Sequence, residues 1–189
     1  MKSISNIFKS ILLMNILVSC SYEANKSDII GCWTCDVIYP NMAGQELITC
    51  SDDSSVSIID SLLYTVEEDS VKIDVKCSIA NSGRWMLKDN ELEFSLTNVV
   101  VEMDTSSLNI STSSHDFSID SLSNNYLLVK QELCRQIKSD INTYFKAGTK
   151  KEIKIGRIKE YTGNRIIIEN TAGELVLERV PETLVYLKK

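Results

Sequence analysis

The chain has 189 residues, a formal net charge of −6 and a hydrophobic fraction of 43%. Surfaces that bind nucleic acid usually carry a basic excess or a basic stripe, and here the only basic doublets are at 150–151 and 188–189. The length suffices for one domain with its own core, and only two prolines and seven glycines interrupt it. The composition therefore predicts a single folded domain without a nucleic-acid partner.

The first 19 residues have the pattern of a secretory signal peptide. Lys2 and Lys9 give a positive start, and a mainly apolar run from Ile11 to Val18 follows. That run is too short to cross a bilayer, which takes about 20 apolar residues, but it fits the hydrophobic region of a signal sequence. We therefore predict that residues 1–19 are removed and that the protein is exported.

The segment Leu17-Val18-Ser19-Cys20 resembles a bacterial lipobox. The resemblance implies that Cys20 receives a diacylglyceryl group and becomes the first residue of the mature chain. It also implies a membrane-anchored lipoprotein in which residues 20–28 form a tether. The residue after the cysteine is Ser21 rather than an aspartate, and in this the sequence resembles lipoproteins that are sorted to the outer membrane of Gram-negative bacteria. An ordinary cleaved signal next to an incidental cysteine is the alternative.

The first predicted strand of the domain contains "IIGCWTCDVIY" at 29–39, with Trp33, Cys35, Val37 and Tyr39 on one face. Its C-x-x-C spacing could indicate a redox pair, which requires a cysteine at a helix N-terminus. In a strand, positions three apart are about 10 Å apart and point to opposite faces, too far for a disulfide. We therefore favour structural cysteines over a redox pair or a four-cysteine zinc site.

The remaining cysteines leave the pairing open. The bacterial envelope permits disulfides, and an odd number beyond Cys20 leaves at least one thiol free or paired with another chain. The candidates for disulfides are Cys32, Cys35, Cys50, Cys77 and Cys134.

A meander of short strands follows. Apolar and polar residues alternate from Val71 to Ile79, which predicts a strand with one buried face. Asn81-Ser82-Gly83 has the composition of a turn, and alternation returns from Glu91 to Leu96. Near the end, 151–161, 165–169 and 174–180 are predicted strands, and Gly156 interrupts the alternation as a bulge or barrel bend would.

One amphipathic helix is predicted at about 126–147, before the C-terminal strands. Its apolar residues fall three and four apart, which keeps them on one stripe. Gly148 can end the helix, and Cys134 lies beside the stripe, whose members are Val129, Leu133, Ile137, Ile141 and Tyr144 or Phe145.

The Gly-x-Trp of Gly31-Cys32-Trp33, the meander with "SGRWMLKDNELEF" and the terminal "GRIKEYTGNRIIIENTAGELVLERV" resemble lipocalin-like (calycin-type) lipoproteins of bacterial envelopes. The resemblance covers 29–103 and 151–180. It implies a mainly β, antiparallel barrel in a single domain, 29–189, with Trp33 closing the floor. Another sheet-plus-helix arrangement is the alternative. A barrel also implies a ligand pocket, for which the candidate lining residues are Trp33, Tyr64, Trp85, Met86 and Phe94; plain core packing is the other interpretation of these side chains.

We find no convincing catalytic or metal-binding pattern. His115 is the single histidine, and it lies in a polar stretch without a G-x-S-x-G motif. The acidic runs 52–53 and 67–69 lack the D-x-D-x-D-G spacing of a calcium loop. We therefore predict no catalytic residues, no metal and no cofactor, and a protein that is not an enzyme.

The sequence predicts a lipid-anchored binding protein of the bacterial envelope. Its partners would be the membrane, through Cys20, and a small apolar ligand or an envelope protein for which it is an accessory factor. The alternative is an immunity-type lipoprotein that neutralises an envelope enzyme or toxin, because without residues 1–19 the net charge falls to about −8 and attracts basic partners.

Overall fold

A computed structural model describes residues 23–68, 71–112, 126–148 and 152–181. The signal peptide, Cys20 and His115 lie outside these ranges. The fold is mainly β. Helix α1 spans Lys26–Ile29 and helix α2 spans Tyr126–Gly148, with a 3-10 turn at Thr105–Ser107. The strands are β1 Gly31–Tyr39, β2 Met42–Cys50, β3 Ser55–Glu68, β4 Val71–Lys88, β5 Glu91–Met103, β6 Asn109–Thr112, β7 Glu152–Tyr161, β8 Arg165–Asn170 and β9 Gly173–Arg179.

Eight of these strands close into an antiparallel barrel. Hydrogen-bonded ladders run in the order β1-β2-β3-β4-β5-β7-β8-β9 and return to β1. The short β6 pairs with the first residues of β4, outside the ring. The predicted barrel, with one helix before the C-terminal strands, is therefore confirmed.

The interior of the barrel follows from period-two alternation. Each strand sends every second side chain inward, and the apolar positions share that phase. Around one end of the barrel these side chains form a cluster that we call the barrel core. Its largest fully buried members are Trp33, Phe94, Ile48, Leu92, Ile158, Ile166, Ile168 and Leu177.

Helix α2 covers a second cluster, the helix core, at the other end. Its members on the long strands β3 and β4 include Leu62, Val75 and Cys77. The helix contributes Cys134, Ile137 and Ile141, which are 2–5% exposed. The predicted stripe is correct in its middle but not at its start: Val129 is 51% exposed, and Cys134 takes a buried place. The helix packs against β5 and the 3-10 turn.

Two features of the sheet depend on glycine. The predicted irregularity at Gly156 is present, because the β5–β7 register shifts there and Gly156 has a φ of +141°. At Gly44 the strands approach so closely that an added Cβ would lie 2.0 Å from the carbonyl oxygen of Ser61. Both positions therefore exclude a side chain, one through its backbone conformation and the other through lack of space.

The barrel closes through a short seam. Strand β1 pairs with β9 at Trp33–Arg179 and Thr34–Glu178, and Val180 N donates to Cys32 O at 2.9 Å. Within the described residues, no ladder pair joins the rest of β1 to β9. The two strands therefore separate beyond Thr34, towards the end that α2 covers. In the described part of the chain, no helix is both long and apolar enough to cross a membrane.

Candidate functional site

One end of the barrel is sealed by the N-terminal segment. Trp33 is fully buried, and its Nε1 donates to Ile29 O in α1 at 2.8 Å. The Arg179 guanidinium lies 4.4 Å from the centre of the Trp33 ring. Ala24 N, just before α1, donates to Asn90 Oδ1 at 2.8 Å. We call this end the floor; Trp33 lies at its centre, between Ile29 and Arg179.

The five predicted pocket residues do not meet in one cavity. Trp33, Trp85 and Phe94 belong to the barrel core and are at most 2% exposed. Tyr64 packs beside the helix core. Met86 follows Trp85 in the strand and so takes the opposite face, where it is 49% exposed.

Trp85 and Met86 nevertheless share a surface pocket of about 650 Å³ at the floor. Its wall is largely polar, and Lys26 Nζ lies 5.3 Å from the centre of the Trp85 ring. The same ammonium group donates to Ser54 Oγ at 2.7 Å. The Trp85 ring is therefore already covered, and little apolar surface remains for a ligand.

The disulfides that the sequence suggested are absent. Cys32, Cys35, Cys50, Cys77 and Cys134 are all free thiols in the structure. Cys32 lies on the outer face, with its Sγ 3.2 Å from Thr49 Oγ1, whereas Cys35 points inward, so the prediction of opposite faces is confirmed. Cys35 and Cys77 both point inward but lie three strands apart, about 14 Å at ordinary strand spacing. The redox interpretation also weakens, because burial raises the pKa of Cys35 to about 12.

The most unusual feature of the interior is a pair of acids, Glu46 on β2 and Asp60 on β3, which we call the acid pair. They face each other across the ladder, and Cys35 on β1 is the next residue in the same row. Asp60 is 0% exposed. The row continues through Ile79 and ends at Val101, which belong to the helix core, while Cys35 belongs to the barrel core. The acid pair thus lies where the two cores meet.

Within the part of the chain that the structure describes, no positive charge compensates this pair. Burial raises the pKa of Asp60 to about 8, and the neighbouring Glu46 adds to that rise. Burial also raises the pKa of Glu46, against the hydrogen-bonding effects of Asp60, Cys35 and Tyr39. No lysine or arginine of the described residues is among the groups that shift either carboxyl. Two buried carboxylates with no cation would be very costly, so the pair retains a proton near neutral pH.

The hydrogen bonds of the pair are incomplete. Cys35 Sγ donates to Glu46 Oε1 at 3.8 Å. Neither carboxyl oxygen of Asp60 has a donor among the described residues. The neighbour of Asp60 is Glu46, which is itself an acceptor, so one shared proton satisfies one oxygen and leaves acceptor capacity in the interior. Buried acceptors without donors are rare in folded proteins and indicate either strain or a missing partner.

A crevice leads from the surface to this row. It has a volume of about 260 Å³ and lies where β1 and β9 separate. Cys35 lines it together with Thr34, Asp36, Gln45, Val176 and Glu178. Because Cys35 contacts Glu46, the crevice ends one side chain away from the acid pair.

The sequence analysis missed the acid pair, although a signal for it was present. In "MAGQELITC" Glu46 has the same phase as Met42, Ile48 and Cys50, and in "SVSIIDSLL" Asp60 has the phase of Ile58 and Leu62. An acid in the apolar phase of a strand is expected to point inward. Within the described ranges, no group of three or more histidine, cysteine or acidic side chains is arranged to hold a metal ion.

Comparison with known proteins does not assign the chain to a family. No protein-family model matches the sequence, and the search of curated proteins found no significant match.

Proposed function

We propose that this protein is a non-catalytic binding protein of the bacterial envelope, anchored through a lipid on Cys20, that holds a small ligand with an apolar body inside the barrel. The proposal rests chiefly on the architecture of a closed eight-stranded antiparallel barrel with unequal ends. Barrels of this size can hold one small ligand.

The two ends differ in how they are covered. At the floor, α1, Trp33 and Arg179 are joined by a hydrogen bond and a cation–π contact. At the other end, α2 packs on the interior with apolar side chains, among them Phe145, whose ring centre lies 5.2 Å from that of Tyr39 in an edge contact. Apolar contacts are non-directional and can be exchanged for those of an apolar ligand. We therefore expect the ligand to bind between the acid pair and α2, where it would replace apolar contacts of the helix core.

Native mass spectrometry of the full chain, extracted from bacterial membranes in mild detergent, tests the proposal. We expect a stoichiometric additional mass that denaturation releases. Ile137→Ser, on the inner face of α2, should reduce this occupancy, whereas Ser139→Ala on the exposed face of α2 should not. A ligand-free mass for the wild type from several extracts would refute the binding function.

The anchor has its own test. A Cys20→Ser variant should lose the incorporation of labelled palmitate and leave the membrane fraction. Equal membrane association of the wild type and the Cys20→Ser variant would refute anchoring at Cys20, but it would not affect the binding proposal.

An immunity-type or inhibitory function is the second candidate, and one surface favours it. On the outer face of the sheet, Ile59, Ala80 and Val100 stand side by side on β3, β4 and β5. Ile59 and Val100 are 41% and 45% exposed, and Leu63, two outward positions further along β3, is 45% exposed. An apolar row on an acidic protein suits a basic protein partner. Under this candidate, Ile59→Ser should abolish a salt-sensitive capture of one envelope protein that the wild type retains.

A further inference from the structure

The acid pair inside the barrel is unlike a structural ion pair. A half-buried tyrosine, Tyr39, and a buried thiol, Cys35, act on its two carboxyl groups, and no cation of the described residues does. Structural networks of buried charge normally balance their signs, because an unbalanced charge in an apolar interior is strongly destabilising. Among the described residues, the acid pair therefore has no positively charged hydrogen-bond donor beside it.

The geometry points to a protonated amine as that component: we infer that Glu46 and Asp60 bind the ammonium group of a small organic cation, which reaches them from the crevice at the β1–β9 seam. This inference rests on the proposed binding function and specifies the polar group of the ligand. An ammonium group brings three donors; the described residues give neither oxygen of Asp60 a donor, and Glu46 lies directly opposite Asp60 in the ladder.

The neighbouring side chains fit such a ligand. Val37 and Leu62 lie one step further along β1 and β3 on the inner face, so the region next to the acids is apolar. Tyr39 packs edge-on against Phe145 of α2. A primary amine with a short apolar body can place its charge on the acids and its body against these side chains.

A metal ion fits less well. Hard cations such as calcium take six to eight oxygen ligands, and the described residues offer no group of three or more potential ligand side chains at one point. An ammonium group needs only two or three acceptors, and the carboxyl oxygens of Asp60 and Glu46 can supply them.

Binding must also move a proton. Without ligand Asp60 carries a proton at pH 6.5, because burial next to Glu46 raises its pKa to about 8. When an ammonium group enters beside it, Asp60 can ionise, and its proton leaves to the solvent. Charge is conserved: one positive charge enters and one leaves. Near neutral pH, about one proton should therefore be released for each amine bound.

The test uses 2-phenylethylamine as the probe and the matching alcohol, 2-phenylethanol, as the neutral control. Isothermal titration calorimetry of the full chain at pH 6.5, in two buffers with different ionisation enthalpies, gives both affinity and proton release. We expect the amine to bind more tightly than the alcohol, with about one proton released. Asp60→Asn and Glu46→Gln should each weaken amine binding by roughly tenfold or more, as expected when a charged hydrogen bond is lost.

Asp36→Asn is the matched control. Asp36 lines the same crevice, but it lies on the outer face and is exposed. Its loss should leave amine affinity within about twofold, since exposed charges contribute little. An equal loss of affinity in Asp36→Asn and Asp60→Asn would mean that surface charge attracts the amine, and would overturn the inference.

Two further outcomes would overturn it. One is amine binding without proton release, and the other is equal affinity for amine and alcohol. If the wild type carries a native apolar ligand but does not prefer the amine, the inference fails and the proposed function stands. If the wild type binds neither probe and carries no ligand, both fail.

Discussion

Replacement of Asp60 by asparagine should change the way stability depends on pH. Folding raises the pKa of Asp60 from its ordinary value of 3.8 to about 8, because the carboxyl is buried next to Glu46. In the unfolded chain the same carboxyl ionises near pH 4. Between these values the folded state binds a proton that the unfolded state does not.

The sign follows from this difference. A group whose pKa is raised by folding stabilises the protein fully at low pH and loses that stabilisation as pH rises towards the folded value. For Asp60 the window runs from about pH 4 to about pH 8. Within it the free energy of unfolding should fall by about 1.4 kcal/mol per pH unit. From pH 5.5 to 7.5 the loss is therefore roughly 2–3 kcal/mol, since the slope flattens near the folded pKa.

Urea unfolding followed by tryptophan fluorescence at pH 5.5, 6.5 and 7.5 measures this slope. The wild type should lose stability across the series, and Asp60→Asn should lose much less, because asparagine has no proton to exchange. Asp52→Asn, an exposed acid in the β2–β3 turn, serves as the control and should follow the wild type.

The range above pH 5.5 is chosen because carboxylates in surface ion pairs act in the opposite direction at lower pH. Asp74, for example, has a lowered pKa through Thr65 and Lys72, and Glu91 through Lys154. Parallel slopes for the wild type and Asp60→Asn would refute the argument, because Asp60 would then be ionised in the folded state too.

Three other changes test the fold and the thiols. Trp33→Phe removes the hydrogen bond to Ile29 O and part of the contact with Arg179, and should lower the free energy of unfolding by about 2–4 kcal/mol in urea titrations. Gly44→Ala should destabilise by more than about 2 kcal/mol, measured in the same way, because its Cβ would overlap Ser61 O. In native alkylation followed by peptide mass mapping, Cys32 should react first among the described cysteines, because the others are buried.

Each of these has a simple check. Ala43→Ser, on the exposed face next to Gly44, should be nearly neutral. A wild-type-like Gly44→Ala variant would show that β2 and β3 can separate at this point. A Trp33→Phe loss below about 1 kcal/mol would mean that the floor contacts contribute little. Rapid native alkylation of Cys35 or Cys77 would contradict the burial of these thiols.

The strands could be predicted where one face is apolar and the other polar. Val71 to Ile79 alternates regularly, so β4 was predictable, and the break at Gly156 marked a real shift in register. The prediction was poorer where tertiary contacts decide. Asn81-Ser82-Gly83 has the composition of a turn, yet it lies inside β4, where the register with β5 shifts and the strand continues.

The candidate site could be predicted from the sequence less well than the fold could. The pocket prediction grouped aromatic and apolar side chains, and it included Trp85 and Met86, which as neighbours in a strand must point to opposite faces. The cysteines offered no pairing because disulfides depend on distances between strands that are remote in sequence. The acid pair required the inward phase of two separate strands and their register, and only the folded sheet supplies the register.

The attachment of the N-terminal segment to the floor also determines how the molecule would stand on a membrane. Ala24 is bonded to the β4–β5 turn, and Ile29 is buried under the barrel. Cys20 lies four residues before Ala24, a reach of at most about 14 Å even for an extended chain. If Cys20 carries the lipid, the floor must rest close to the headgroups, and the end covered by α2 must point away from the bilayer. A ligand would then arrive from the aqueous compartment rather than from within the membrane.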